Sequence, residues 1–369
     1  MIDISAENVR DFVFIASSKF KRVSQKVDGI RVNSFYFDNG DAIQSKKQAL
    51  TVLSHCSDAI SFFSKEFGQY PFEEFDIVET YLTGGAMEYP QLIQMGVYGF
   101  NPDENYSGIN SYMPFEIEGA VHEVGHQWWF SVVGNNEFKE SFLDESLTSY
   151  STAYYFEKKY GKYCSQGTFT QFRLHLYPDE NQSLPINSSV DKFTSWSDYS
   201  MIIYRKGALV FEDLRQRVGE EKFLQILKTY FDRYKFKNAS IDDFLSVIEE
   251  IDEENVENSI REALNSKNYF PENLIIPDDE KQVFYREMEK QRLLEQAKKY
   301  GLSLDSLAAK GLIGDKIYLI KPSSLSQHDK TQLEQLISSL KDSYKMQYNI
   351  DLIVKDDKDF SGEEVKIII

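Results

Sequence analysis

The sequence has 369 residues, of which 41% are hydrophobic and 14% aromatic, so it can bury a large core and is long enough for two or three compact units. Its formal net charge of −18 argues against non-specific nucleic-acid binding, which needs basic patches that displace counterions from phosphates. Two isolated cysteines exclude a disulfide scaffold, and without an apolar stretch of about 18 residues no transmembrane segment is predicted.

The first hundred residues combine strand and helix patterns. Apolar and polar residues alternate over 11–37 around Asp28-Gly29, which predicts a strand, a turn and a second strand. Helical spacing follows over 42–67, and the run FDIVETYL (75–82) is typical of a strand. The next stretch, GGAMEYPQLI (84–93), favours neither a helix nor a clean strand, although it holds a carboxylate between apolar neighbours.

The middle of the chain is mainly helical. Apolar periodicity predicts one helix over 114–133 and a second from about residue 143 to 160. Residues 166–200 are rich in Pro, Asn, Ser and Asp, which predicts loops. Helical patterns return over 204–218 and again over 240–251, where a serine is well placed as the N-cap.

The composition changes after about residue 268, where a linker-like stretch precedes a charged segment. We predict a helix over 281–301, a strand over 316–320, a second helix over 330–344, and further strands after it. The chain ends in EEVKIII (363–369), an apolar run that predicts a strand inside something larger. We therefore expect the chain to be a fragment of a longer protein, and its compartment and oligomeric state stay open.

The segment HEVGHQWWFSVVGNNEFKESFLDES (122–146) is the strongest indication of chemistry. On a helix, His122 and His126 lie one turn apart on the same face, which suits two nitrogen ligands of one Zn²⁺. Glu123 lies beside them, where it can act on a metal-bound water. Glu145 follows His126 after 18 residues, and the second predicted helix can bring it back as the third ligand. The turn between the two helices falls at Val133-Gly134-Asn135-Asn136.

The alternative is a solvated helix face that carries two surface histidines. The apolar neighbours Val121, Val124, Trp128 and Trp129 argue against it, because they place the helix in a core where unpaired polar groups are costly. The residues therefore favour one zinc ion per chain.

The zinc motif and its surroundings resemble the aminopeptidase N family of gluzincin zinc metallopeptidases. That family joins H-E-x-x-H, 18 residues and E to an upstream G-x-M-E-N loop and a downstream Y-x-K-G motif. Here Gly85-Ala86-Met87-Glu88 matches the loop, and Tyr204-Arg205-Lys206-Gly207 matches the second motif. The resemblance spans roughly residues 10–265. Tyr89 stands where the family usually has Asn.

The resemblance implies a role for each matching residue. Glu88 would bind the free α-ammonium of a peptide, with Gly85, Ala86 and Met87 beside it in the substrate-binding loop. Tyr204 would donate a hydrogen bond to the oxyanion, since a phenol with an ordinary pKa near 10 stays protonated at neutral pH. Tyr199, five residues earlier, is its nearest competitor for this role.

The fold that the resemblance implies is α+β: a thermolysin-like catalytic domain with a small mixed sheet and a mostly helical lobe, followed by a smaller α/β region. We assign residues 1–38 to a remnant of an N-terminal β domain, 39–268 to the catalytic domain, and 269–369 to a C-terminal α/β region of unknown role.

The implied function is a zinc-dependent aminopeptidase that removes the N-terminal residue of peptides through a Glu-activated, zinc-bound water. Its partners would be peptides with a free N-terminus. Two alternatives stay open: a thermolysin-like endopeptidase, which shares the zinc motif, and a catalytically weak or inactive interaction module built on a peptidase fold.

Overall fold

The computed structural model describes residues 7–83, 85–104, 106, 113–168, 183–252 and 254–269, a few positions between 271 and 283, and three strands near the C-terminus. By its contacts the chain divides into two compact units, Met1–Ile275 and Ile276–Ile369. Within the described residues, no helix is both long and apolar enough to cross a bilayer.

The first unit contains one mixed five-stranded sheet. Its strands are β1 (Lys21–Val27), β2 (Ile30–Tyr36), β3 (Glu74–Glu79), β4 (Ala86–Tyr89) and β5 (Leu92–Met95). They lie in the order β1-β2-β3-β5-β4, so β1 and β4 are the edge strands. β2, β3 and β5 run parallel to one another, whereas the two outer pairs are antiparallel. β1 and β2 therefore belong to the same sheet as β3.

Two hairpins form the edges of this sheet. The first turns at Asp28 and Gly29, whose φ angles of 48° and 90° both lie in the left-handed region that a tight two-residue hairpin needs. It confirms the predicted strand–turn–strand. The second hairpin joins β4 to β5, so the expectation that 84–93 holds no clean strand was wrong. Register explains the difference, because Glu88 pairs with Ile93 in a ladder whose partner strand the local pattern does not show.

The helical lobe lies against this sheet. Helix α1 (Ala42–Glu66) begins at Asp41, whose carboxylate accepts hydrogen bonds from the backbone N–H groups of Ile43 and Gln44. Helix α2 (Phe115–His126) continues as a π-helical segment, Gln127–Val132, with a kink at Trp129. The helix predicted over 114–133 is therefore confirmed, with a wider final turn.

The second half of the lobe is built from shorter helices, and they confirm the helices predicted over 143–160, 204–218 and 240–251. The described residues of the lobe also contain two short 3₁₀ turns, Ser141–Leu143 and Val190–Lys192, and a pair of two-residue strands, β6 (Val133–Gly134) and β7 (Lys237–Asn238). The helices are α3 (Glu145–Tyr160), α4 (Trp196–Tyr199), a π-helical segment (Ser200–Gly207), α5 (Ala208–Val218), α6 (Glu220–Tyr234), α7 (Ile241–Ile251) and α8 (Val256–Asn265).

Aromatic side chains fill the core between α1, α2 and α3. Phe63 of α1 stacks on Phe67 with ring centroids 5.3 Å apart, and the edge of Trp128 meets Phe63 at 5.6 Å. Trp129 is equally buried and stacks on Tyr230 of α6. Because Trp128 and Trp129 follow His126 by two and three residues, burying their rings fixes the end of α2 in the core.

The second unit contributes three strands to the described residues, β8 (Lys316–Lys321), β9 (Asp351–Asp356) and β10 (Lys366–Ile368). They form a parallel sheet in the order β10-β8-β9. This confirms the strands predicted over 316–320 and at the C-terminus. Of the helices predicted over 281–301 and 330–344, only positions 282 and 283 are described, and both are helical. The rest of the two ranges lies outside the described residues.

Glycine permits the closest approach between α3 and the segment that leads into α5. A Cβ added to Gly207 would lie 2.0 Å from Ser146 Oγ and 2.8 Å from Ser146 Cβ. The same serine donates a hydrogen bond of 2.7 Å to the carbonyl oxygen of Ile203. The glycine of the Y-x-K-G motif is therefore a packing requirement that keeps this segment against α3.

We expect Gly207→Ala to lower the free energy of unfolding of the metal-free protein by about 2 kcal/mol, because the new methyl group overlaps a Cβ that cannot rotate away. Urea unfolding measures this change. Adding Ser146→Gly, which removes both clashing atoms, should recover part of the loss. Gly99→Ala is the control, since its Cβ would meet only a Glu116 carboxylate oxygen, at 3.4 Å. Equal stability of Gly207→Ala and wild type would contradict the packing requirement.

Candidate metal centre and active site

Helix α2 presents both motif histidines on one face, as the sequence predicts. The two imidazole rings lie with centroids 4.7 Å apart, and their Nε2 atoms are 3.1 Å apart. His126 is almost fully buried, whereas 16% of the His122 side chain is exposed. The pair therefore lies at the wall of the lobe, with one ring in the core and the other at the surface.

Glu145, the first residue of α3, completes a triangle with the two histidines. Its Oε2 atom lies 3.2 Å from His122 Nε2 and 3.3 Å from His126 Nε2. The short 3₁₀ turn Ser141–Leu143 leads directly into α3, so the carboxylate comes from the helix N-terminus. The structure thus brings together all three residues that the sequence selects as metal ligands.

The triangle has the dimensions of a zinc site. Ligands at ordinary zinc distances on a tetrahedron are about 3.3 Å from one another, which matches the three separations found here. Burial lowers the pKa of His122, which favours the neutral imidazole that a metal requires. Burial opposes a charged Glu145, yet His126 and His122 hold its pKa well below the usual range. Two nitrogens and one carboxylate oxygen therefore fit Zn²⁺.

Two further residues hold His126 from the opposite side of its ring. Asp144 Oδ1 lies 2.6 Å from His126 Nδ1, and the hydroxyl of Thr148 lies 3.1 Å from the same nitrogen. Burial works against the charged form of His126, but the carboxylates of Asp144 and Glu145 raise its pKa well above the ordinary value. A carboxylate on Nδ1 fixes the ring so that Nε2 faces the triangle. Neither residue is predicted from the sequence, although Asp144 directly precedes a predicted ligand.

Glu123 lies on the buried side of α2 beside this triangle. It is 7% exposed, and within the described residues its Oε2 atom has no hydrogen-bond partner. Burial raises its pKa well above the ordinary value, with the nearby acids Glu88 and Glu145 adding to the shift. A buried carboxylate with a free oxygen and a raised pKa is suited to accepting and returning a proton.

β4 brings Glu88 to the same place. A carboxylate oxygen of Glu88, one of Glu123 and a ring nitrogen of His126 all lie within 4.8 Å of one another. Met87, one residue earlier, is 41% exposed, and Ala86 is half-buried. Since β4 is an edge strand, the substrate-binding residues predicted at Gly85, Ala86, Met87 and Glu88 border an open sheet edge.

Tyr204 contacts the triangle from the π-helical segment. Its hydroxyl donates a 2.5 Å hydrogen bond to Glu145 Oε1, and its ring stacks on His122 at 5.8 Å. Burial and the charge of Glu145 raise its pKa, so the hydroxyl keeps its proton. The ring of Tyr199 meets the ring of Tyr204 edge-on, with centroids 5.9 Å apart. Trp196, 69% exposed, packs against both tyrosines.

This chain is similar in sequence to curated aminopeptidases. Aminopeptidase 2, mitochondrial, from Saccharomyces cerevisiae is 24% identical over 234 residues, which is 62% of this chain and 24% of the relative. Aminopeptidase N from Streptomyces lividans is 24% identical over 201 residues, 51% of this chain and 23% of the relative. The chain thus spans about a quarter of the length of these curated relatives.

Solved structures show the same fold. An M1 zinc metallopeptidase from Deinococcus radiodurans superposes with a TM-score of 0.51 and 18% identity, covering 70% of this chain and 54% of that one. It matches the α+β architecture of a small sheet and a helical lobe. The model of the peptidase family M1 domain matches residues 52–263, more than half of the chain, and includes every predicted metal ligand. The chain therefore belongs to peptidase family M1.

Proposed function

We propose that this protein is a zinc-dependent aminopeptidase that hydrolyses the N-terminal peptide bond of peptides with a free amine. One observation carries the proposal: an edge strand holds the carboxylate of Glu88 within 4.8 Å of Glu123 and His126. This proximity supports a cation-binding role for Glu88 next to the proposed metal centre and proton carrier. The names of the curated relatives, several of them aminopeptidases, support the same activity.

Zinc would be held by His122, His126 and Glu145, with one ion per chain. When bound, it supplies Lewis acidity that polarises the substrate carbonyl and makes water a better nucleophile at neutral pH. The 3.1–3.3 Å separations of the three ligand atoms support this assignment. The zinc metallopeptidases among the similar folds support it as well.

The protein's own residues supply the proton transfers. Glu123, with its free buried oxygen, accepts a proton from the attacking water and passes it to the leaving amine. Tyr204 keeps its hydroxyl proton and donates a hydrogen bond to the carbonyl oxygen as negative charge develops there. To do so the hydroxyl gives up its present hydrogen bond to Glu145 Oε1.

Glu88 decides which peptide bond is cut. A carboxylate at the end of a groove pairs with an α-ammonium and rejects substrates that lack one. A peptide that pairs with the free edge of β4 would place its N-terminus beside this carboxylate. This distinguishes an aminopeptidase from an endopeptidase of the thermolysin kind, whose substrates continue past this point.

The division into residues 1–38, a catalytic domain over 39–268 and a C-terminal α/β region over 269–369 stays part of this proposal. An inactive module is the weaker alternative, because the ligands, Glu123 and Tyr204 are all in place. Aminopeptidase activity of this chain is the direct test between the two. The substrates used are aminoacyl-arylamides, free and N-acetylated.

We expect Glu123→Gln to keep stoichiometric zinc and to lose turnover by about three orders of magnitude, because an amide cannot carry the proton. Metal content and kcat on leucyl-arylamide measure the two effects. Tyr234→Phe, a change on α6 that removes a hydroxyl bonded to Asp243, is the control and should leave kcat unchanged. Turnover retained in Glu123→Gln would remove Glu123 from the mechanism.

We expect Glu88→Ala to raise KM for free-amine substrates about 10- to 100-fold, the range for loss of one charged hydrogen-bonded pair. The preference for free over N-acetylated substrates should fall with it. Asp103→Ala removes an exposed acid paired with Lys47 and serves as the control. If the wild type cuts N-acetylated peptides as fast as free ones, and Glu88→Ala changes neither rate, the protein is an endopeptidase.

We expect Asp144→Ala to weaken zinc binding about 10- to 100-fold, because His126 loses the partner that orients its ring. Competition with a coloured chelator measures the dissociation constant without reference to activity. Glu79→Gln is the matched control, since Glu79 is a buried acid held by backbone N–H groups of Phe37 and Tyr98. Unchanged zinc affinity in Asp144→Ala would show that Thr148 and packing alone hold the ring.

A further inference from the structure

The side chain of Gln127 connects the metal helix to the strand that carries Glu88. Gln127 directly follows His126 and is completely buried. Its Oε1 atom accepts a 2.8 Å hydrogen bond from the backbone N–H of Gln91, and its Nε2 donates one of 3.1 Å to the carbonyl oxygen of Tyr89. Both partners are main-chain groups of the turn between β4 and β5.

That turn has an unfavourable backbone conformation. Tyr89 pairs with Leu92, so Pro90 and Gln91 alone reverse the chain. Gln91 has a φ of 63°, in the left-handed region where glycine or asparagine is usual at this position of a turn. A residue with a side chain costs about 1 kcal/mol or more there. The backbone N–H of Asp76 donates a hydrogen bond to the Gln91 carbonyl oxygen. The two hydrogen bonds of the Gln127 side chain also hold the turn.

The route from the metal centre to the amine site is short. Glu88 is the neighbour of Tyr89, and His126 is the neighbour of Gln127. Glu88, which would bind the α-ammonium, is therefore connected to His126, which would bind zinc, through one hydrogen bond between the side chain of Gln127 and the backbone of Tyr89. A primary amide carries a donor and an acceptor on separate atoms, so it can donate to the Tyr89 carbonyl and accept from the Gln91 N–H at the same time.

We propose that Gln127 is a positioning residue: it sets the distance between Glu88 and the metal centre, and so selects the first peptide bond for cleavage. This proposal rests on the aminopeptidase function above. A purely structural role is the rival explanation, in which Gln127 satisfies buried groups without affecting where the substrate lies.

The central test is Gln127→Leu, which keeps the size of the side chain and removes both hydrogen bonds. KM for free-amine arylamides should rise about tenfold with a smaller change in kcat, because the anchor is displaced while the metal centre stays intact. Zinc affinity should stay at the wild-type value. The preference for free over N-acetylated substrates should fall in the same proportion as KM rises.

A second substitution separates positioning from stability. In the Gln127→Leu background, Gln91→Gly relieves the left-handed backbone and lets the turn keep its shape without the amide. The KM of the double variant should therefore fall part of the way back to the wild-type value. Hydrogen exchange of the Asp76 amide, which donates to the carbonyl oxygen of residue 91, reports the turn: protection should fall in Gln127→Leu and rise again in the double variant.

Gln48→Leu is the matched control. Gln48 is also a buried glutamine, and its Nε2 donates a 2.6 Å hydrogen bond to the carbonyl oxygen of Phe100, in a loop outside the site. It should lower stability and leave KM and the amine preference unchanged. A Gln127→Leu protein that behaves like Gln48→Leu would overturn the positioning role and leave the aminopeptidase function intact.

The wild-type protein provides the remaining distinction. If it hydrolyses free and N-acetylated substrates equally, the proposed function fails, and the role of Gln127 fails with it. If it prefers the free amine and Gln127→Leu keeps that preference at an unchanged KM, only the positioning role is overturned.

Discussion

The close packing of α2 against α3 is the constraint on which the site depends. Gly125 lies between the motif histidines, and a Cβ there would come 2.9 Å from Thr148 Cγ2. Because glycine has no side chain, α3 can approach until Glu145 Oε2 lies within 3.3 Å of both Nε2 atoms. The aromatic core beneath α2 holds this contact, since Trp128 and Trp129 are both almost fully buried. The ligand triangle is therefore a product of helix packing more than of loop structure.

The same packing gathers negative charge in a place with little water. Glu123, Asp144 and Glu145 lie beside two histidines, and burial raises the pKa of Glu123 and of Asp144. Carboxylates removed from water are costly unless a cation or hydrogen bonds compensate them. A divalent cation would supply that compensation, so the architecture that assembles the ligands also creates the electrostatic demand for a metal.

Much of this site could be predicted from the sequence, because its signals are local. The i, i+4 spacing places His122 and His126 on one helix face, and the 18-residue interval is long enough for a turn and a returning helix. The helix boundaries near residues 160 and 218 follow from Gly161 and Gly219, both with positive φ.

Other parts depended on contacts that no local pattern contains. The strand at Ala86–Tyr89 exists because β5 pairs with it. The Y-x-K-G match selects Tyr204, but its hydrogen bond to Glu145 Oε1 depends on the folded chain. The hydrogen bonds of Asp144 and Gln127 depend on side-chain directions after folding. Sequence spacing alone does not specify these directions, even though both residues adjoin predicted ligands.

The edge position of β4 has a consequence for selectivity. A strand that pairs with this edge is held through amide and carbonyl groups, which every peptide shares. Recognition of this kind depends on backbone shape and chirality and is largely indifferent to the residues further along the chain. Under the proposed function it would require several extended, unpaired residues at the start of a peptide substrate, and a folded N-terminus would not provide them. The sheet edge would thus separate flexible peptide ends from structured proteins.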